Sequence, residues 1–476
     1  MRKEWLKLGN IEKEKRRKLK EIEALRIYPF GGRYEVTSSI KELKDNFQDG
    51  KSASVAGRLM AVREHGKTVF YDLRDSTGKI QLYAGKDVLG DEKFSFLKKL
   101  DIGDIAGVKG ELFKTRTGEI SVKLTDIKIL AKSLRPLPEK WHGLKDVETR
   151  YRQRYVDLII SEEVKKLFKI RTGIISKIRE VLDGKGFLEV ETPMMHPIPG
   201  GAAGKPFKTH HDTLHRDLYL RIAPELYLKK LLVGGFEKVY EINRSFRNEG
   251  ISTRHNPEFT MLEVYEAYSD SEGMMELVEY IIRKTAKDVL GSENFEYQGK
   301  TIDLTKWERM SFAKLMEENF DITPDDEEKT WVKKLKKKGI KLEKDEVSRT
   351  QLINIIGELI EPKAHNHPVF VIDMFKELCP LAKTKPDNPE LTDRFELYIG
   401  GLEVANAYSE LNDPIEQRKR FKEAGGKIDE DFVRALEYGM PPAGGLGVGI
   451  DRLAMLFTNS ANIREVIFFP QLKEVK

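Results

Sequence analysis

A single cysteine, Cys379, stands in a chain of 476 residues. That excludes a disulfide framework and any zinc centre built from cysteine thiolates. No apolar stretch reaches the ~18 residues that a membrane helix needs, so no membrane span is expected. The N-terminal stretch carries charge throughout, which disfavours a secretory leader, and the expected location is cytoplasmic. Net charge is also scarce. The 83 Lys and Arg against 78 Asp and Glu leave +5, so any basic surface must be local. The G-x-x-x-x-G-K-[ST] signature is missing, which excludes a P-loop nucleotide site. No internal repeat is evident.

What remains is a long, charge-rich, globular chain: 34% of residues are charged, against about 25% in an average domain. Its length exceeds what one hydrophobic core supports, so at least two domains are expected. Residues 1–26 read as one basic helix. Arg2, Lys3, Lys7, Lys13, Lys15, Arg16, Arg17, Lys18, Lys20 and Arg26 outnumber the acids, and Leu19, Ile22 and Leu25 form an apolar stripe. Such a helix suits a phosphate backbone, and equally a solvated terminus. Five β-rich runs follow: Ser54–Val62, Thr68–Leu73, Ile80–Ala84, Ile105–Phe113 and Ile120–Leu130. Turn signals such as Thr115–Gly118 separate them, a pattern that suits a small antiparallel barrel of the OB type. Phe70, Tyr71 and Tyr83, with Arg58, Arg63, Arg74 and Lys79, offer it stacking faces and cations for single-stranded nucleic acid.

A proline-containing linker leads into an α+β region with strands expected at Leu218–Ile222, Phe259–Ala267, Val369–Met374, Arg394–Gly400 and Val466–Phe469. Residues 321–346 read as an amphipathic surface insert. The glycine run Gly444–Gly449 does not fit G-x-G-x-x-G, because Arg452 occupies the third glycine position. It does suit close backbone approach to a ligand, followed by an arginine at a helix start. Within Tyr240–Phe259, Arg247, Glu249, Arg254, His255 and Phe259 crowd together. Arginine suits bidentate phosphate or carboxylate recognition, and phenylalanine suits stacking on a purine. The histidines His210, His211, His215, His365 and His367 read as surface or loop residues.

Three stretches resemble the signature motifs of class II aminoacyl-tRNA synthetases, in order: Phe187–Pro193 (motif 1), Phe246–Phe259 (motif 2) and Gly447–Arg452 (motif 3). Ile198–Ala203, Leu220–Lys229, Ala407–Asp413 and Gly439–Pro442 resemble the lysyl branch of bacterial type in particular. The resemblance covers essentially the whole chain. It implies an α+β fold with an N-terminal five-stranded OB-fold β-barrel that binds an anticodon. A class II catalytic domain would follow, with an antiparallel β-sheet, six-stranded in the family, flanked by helices. The implied boundaries are 1–50 for the basic helix and lead-in, 51–132 for the barrel, 133–148 for the linker, and 149–476 for the catalytic domain, with a helical insert at about 270–350.

By the same resemblance, Arg247 bridges a lysine carboxylate and the ATP α-phosphate, Glu249 holds the adenine amino group, and Phe259 stacks on the ring. Arg452 closes its other face, and His255 sits by the terminal phosphates. Arg247 and Arg452 are then the catalytic pair. Glu396 and Glu403 would hold Mg2+, whose preference for oxygen ligands is in keeping. Gly201 and Glu225 would face the lysine α-amino group and Asn406 its carboxylate. Glu263, Tyr265 and Glu410 would surround the ε-ammonium, with Tyr408 as an apolar wall. Arg63, Phe70, Gln81 and Glu119 would read the anticodon. The implied partners are tRNA(Lys), ATP, L-lysine and a second copy of the chain through motif 1, with no membrane. Ala405 and Ala407 stand where glycines are frequent in the family, Tyr408 where Phe is common, and Cys379 where Ser is more usual. Three readings compete: an aspartyl or asparaginyl relative, which Glu263 and Glu410 disfavour; a protein-modifying paralog, which typically lacks the barrel; and an inactive RNA-binding protein on the same scaffold.

Overall fold

The computed structural model describes residues 2–138, 146–202, 204–342, 347–362, 365–425 and 428–474, with side chains from residue 9 onward. Ala203, the middle of the linker, the end of the 321–346 stretch, and the side chains of Arg2, Lys3 and Lys7 lie outside these. The chain forms two compact units, Met1–Lys145 and Asp146–Lys476.

The first unit begins with α1 (Arg2–Ala24). It stops short of residue 26, where Arg26 turns to a φ of 57°. Ile22 is fully buried in the barrel core, whereas Leu25 is 49% exposed and leaves the expected stripe. Several cations of α1 face protein. Lys15 Nζ donates to the carbonyls of Ile102 (2.8 Å) and Ser133 (3.3 Å), and Lys18 pairs with Asp101 at 2.7 Å. The exposed remainder, Lys13, Arg16 and Lys20 among them, is what a phosphate backbone would meet.

Strands β1 (Ser52–His65), β2 (Thr68–Arg74), β3 (Lys79–Gly85), β4 (Ile105–Lys114) and β5 (Ile120–Ala131) close a barrel in the order β1-β2-β3-β5-β4. The pairing of β3 with β5 is parallel and the others are antiparallel. Alternation drives this. Val69, Tyr71 and Leu73 of β2 point into the core, while Phe70 lies on the outer side and Asp72, though buried, pairs there with Arg63 and Lys79. Tyr71 is therefore no stacking platform: it is 1% exposed and its hydroxyl donates to Leu97 O.

The second unit is built on a mixed sheet of β6 (Leu188–Glu189), β7 (Lys238–Phe246), β8 (Glu258–Ala267), β9 (Glu308–Ser311), β10 (Val369–Ile372), β11 (Arg394–Ile399), β12 (Leu402–Ser409) and β13 (Ala443–Gly449). Their order is β9-β10-β11-β12-β13-β8-β7-β6. The expected antiparallel sheet is its six central strands, and β9 and β6 add to the two edges in parallel. Helices α2 (Glu162–Gly184), α3 (Glu225–Val233), α4 (Ser271–Leu290) and α5 (Ile450–Phe457) surround it. Ile174 and Ile178 of α2, Val278 and Ile281 of α4, and Leu453 and Leu456 of α5 cover one face, meeting Leu262 and Val264 of β8. That leaves the opposite face of β8 and β12 for chemistry.

Two expectations need correcting. Residues 321–346 are not merely a surface insert. Trp331 and Leu335 are fully buried with Phe312, Ile356 and Phe375 in a core of their own. Val466–Phe469 forms no strand, because the Arg154 guanidinium, 1% exposed, takes the carbonyls of Arg464 and Phe468 at 2.9 and 3.2 Å.

Candidate active site

Two cavities lie against the free face of the sheet. Arg247, Met261, Glu403, Asn406 and Gly447 line both. Strand period sets which side chains arrive: Met261, Glu263 and Tyr265 of β8 point toward the cavities, while Leu262 and Val264 point into the core. On β12 a bulge opposite Leu397–Tyr398 inserts one residue between Glu403 and Asn406. Glu403, Asn406 and Tyr408 then share the cavity face, which simple alternation would deny to Glu403.

The first cavity gathers Arg247, Glu249, His255, Phe259 and Arg452. The Arg247 guanidinium lies 5.2 Å from the centre of the Phe259 ring, and its buried Nε has no hydrogen-bonding partner among the described residues. Arg452 Nη1 donates to the Glu403 carbonyl (2.7 Å) and carboxylate (2.9 Å). Its Nη2 lies 3.2 Å from His255 Nε2. Arginine only donates, so Nε2 accepts, and Nδ1 carries the proton toward Ser252 Oγ at 2.9 Å. Burial, then the Arg452 charge, lowers the His255 pKa and favours this neutral imidazole.

The second cavity gathers Gly201, Glu225, Glu263, Tyr265, Asn406 and Tyr408. Gly201 takes a φ of +86°, and a Cβ there would crowd the Glu225 and Ala223 side chains at 3.3 and 3.4 Å. Glu225 opens α3, accepting from Tyr408 Oη at 2.8 Å and from Lys229 Nζ at 2.6 Å. Tyr265 Oη donates to Glu263 Oε2 at 2.9 Å. Burial, with the Glu225 charge added, pushes the Glu263 carboxyl up to about 8.

Glu410 does not line the cavity. It is 1% exposed behind Gly445, ion-paired with Lys229, and its Oε1 has no hydrogen-bonding partner among the described residues. A Cβ on Gly445 would fall on that oxygen and within 2.7 Å of the Tyr265 ring, so only glycine keeps the approach to it open. Lys229 was given no role by sequence reasoning. Burial disfavours its charge, but Glu225 and Glu410 outweigh this and raise its pKa. Its signal was the i,i+4 spacing from Glu225 on one helix. At this end of the cavity Glu225 and Glu263 on the wall, with Glu410 behind it, thus surround a single internal ammonium, Lys229.

Of the metal candidates, Glu403 lines both cavities and Glu396 neither. Glu396 accepts from Arg394 Nη2 (2.6 Å) and Tyr398 Oη (3.0 Å). Burial raises its pKa despite Arg394, and the nearby Glu403 charge adds to the rise. A hard dication beside these two carboxylates would offset the charge of Glu403 that bears on Glu396.

On the barrel, Arg63, Phe70 and Tyr83 lie in register across β1, β2 and β3. The Phe70 and Tyr83 rings meet edge to face at 5.5 Å. Arg63 pairs with Asp72 at 2.9 Å, and Gln81 Oε1 accepts from Ser121 Oγ at 3.1 Å. Glu119 is exposed on the turn before β5.

Comparison with known proteins agrees with this geometry. The family model for class II tRNA synthetases (D, K and N) matches residues 146–473, and that for an OB-fold nucleic acid binding domain matches 53–130. The lysine–tRNA ligase of Carboxydothermus hydrogenoformans is 53% identical over 99% of both chains. That of Pelotomaculum thermopropionicum is 54% identical over 98% of this chain and 95% of its own. That of Clostridium botulinum is 51% identical over 98% and 96%. With an acid-rich pocket opening onto an arginine-lined cavity and a barrel ahead of it, the chain belongs to the lysine–tRNA ligase family of class II tRNA synthetases.

Proposed function

We propose that the chain activates L-lysine with ATP and transfers it to the 3′ end of tRNA(Lys), in the cytoplasm. The observation that carries this reading is the junction of the two cavities at Arg247. Lysine in the acidic cavity would place its carboxylate there, beside the α-phosphate of ATP in the other. The carboxylate oxygen attacks phosphorus in line, the bond to pyrophosphate breaks, and the terminal ribose hydroxyl of tRNA then takes the acyl group from AMP. No side-chain nucleophile is needed. Arg247 and Arg452 position the reactants and stabilise the charge that develops.

Glu249 and Phe259 hold the adenine in this reading, and His255 sits by the terminal phosphates. Glu225 and Gly201 receive the α-amino group and Asn406 the carboxylate. Glu263 and Tyr265 take the ε-ammonium, with the unpartnered Glu410 Oε1 behind Gly445 and Tyr408 as wall. Glu396 and Glu403 would hold Mg2+, which supplies charge neutralisation at the phosphates. Arg63, Phe70, Gln81 and Glu119 meet the anticodon. Exposed Leu188, Met194 and Met195 beside motif 1 support a homodimer through that surface. ATP–pyrophosphate exchange, run with each amino acid in turn, tests the reading. Exchange with lysine alone is expected, and exchange with aspartate, or with none, overturns it.

A further inference from the structure

Glu308, His365 and His367 come together at the β9 edge of the sheet, and none of them lines either cavity. One ligand atom of each lies within 4.8 Å of the other two. Glu308 is the first residue of β9, and the histidines belong to the segment that leads into β10. That segment is held in place by its backbone. Asp303 N donates to Asn366 O at 2.7 Å, and Glu308 N donates to Pro368 O at 3.1 Å. These bonds fall on either side of His367, at a bend over Asn366 and His367. The Glu308 and His367 side chains meet at 3.0 Å, from Oε2 to Nε2. An ion pair accounts for those two groups. It does not account for His365, whose ring centre lies 5.3 Å from that of His367.

We propose that Glu308, His365 and His367 bind one divalent cation of the zinc class, separate from any ion that accompanies ATP. Two imidazoles and a carboxylate select such a borderline cation over magnesium, which prefers oxygen alone. Three protein ligands leave the fourth position to water. With no thiolate among them the site is a moderate binder, and its effect is structural. It clasps the start of β9 to the segment entering β10, so an ion bound to the folded chain alone raises its stability. The sequence hid the site because Glu308 lies 59 residues from His367.

Calorimetric titration of the metal-free full chain with Zn2+, without ATP, tests this. One equivalent is expected to bind, with a higher unfolding temperature, and Co2+ in its place is expected to show the visible bands of a four-coordinate ion. The double variant His365→Ala/His367→Ala should bind at least about 10-fold more weakly, while His210→Ala/His211→Ala keeps native affinity. Lysine-dependent exchange should persist in the double variant, reporting an intact fold. If it does not, Glu308→Gln, which keeps both imidazoles, is measured in its place. Absence of binding by the native chain, or affinity unchanged by loss of these ligands, overturns the proposal.

Discussion

Among single residues, Glu263 has the clearest consequence. Its carboxyl is pushed up to about 8, so at neutral pH it holds a proton that, in the proposed reading, a lysine ammonium would displace. The KM for lysine in pyrophosphate exchange should therefore fall as pH rises from 7 toward 9. Stability moves the opposite way. The folded-state value lies above the ordinary 4.5, so the folded chain holds a proton that the unfolded chain releases between those values. Stability is full below about 4.5 and erodes as pH rises to about 8. Glu263→Gln removes that erosion. The variant should be more stable than the native chain at pH 9 without lysine, yet show a KM for lysine about 10²–10³-fold higher. Denaturant melts and exchange kinetics at two pH values check both halves. Arg247 is the other decisive residue. Arg247→Ala should lower exchange by at least about 10²-fold while the circular dichroism spectrum stays native, and near-normal exchange would remove the role given to it.

At the scale of the element, β13 shows what sequence reading caught and missed. The barrel strands were legible because alternating apolar residues announce a half-buried strand. The run Ala443–Gly449 announces nothing, since glycine carries no side chain to alternate, yet it is a central strand between β12 and β8. Its glycines answer to tertiary crowding. A Cβ at Gly444 would lie 2.7 Å from the Asp270 carbonyl, and one at Gly445 would strike Glu410. Lys229 escaped notice for a related reason. Its neighbour Glu225 was in view, but Glu410 reaches it only through the fold. The opposite error occurred at Val466–Phe469, where an apolar run reads as a strand but its backbone answers to Arg154. The family resemblance gave the cavity residues, but not that Glu396 and Glu410 stand outside the cavity walls. Gly445→Ala should cost about 1–3 kcal/mol by overpacking and raise the KM for lysine, leaving the KM for ATP nearly unchanged. Melts with two-substrate kinetics would show this, and an unaltered lysine KM would mean that the Glu410 oxygen is not reached.

At the scale of the molecule, the chain divides into two compact units. In the proposed reaction the two steps divide the same way. Amino acid and ATP need only the second unit, whereas tRNA must also be held by the barrel. Phe70 is the residue that separates them. It lies on the outer face of β2, its ring edge to face with Tyr83, while its neighbours Val69 and Tyr71 are core. Replacing it removes a stacking surface without opening a cavity. Phe70→Ala should lower kcat/KM for charging tRNA(Lys) by about 10–10²-fold, the worth of one stacked base. Lysine-dependent exchange without tRNA should be unaltered. Tyr71→Ala is the contrasting case, since it empties the barrel core and should destabilise the first unit by about 3–5 kcal/mol. A loss of exchange in Phe70→Ala would mean that the barrel supports the second unit's chemistry directly. Charging that stays native would mean that the aromatic face of β2 and β3 is not where the anticodon lies.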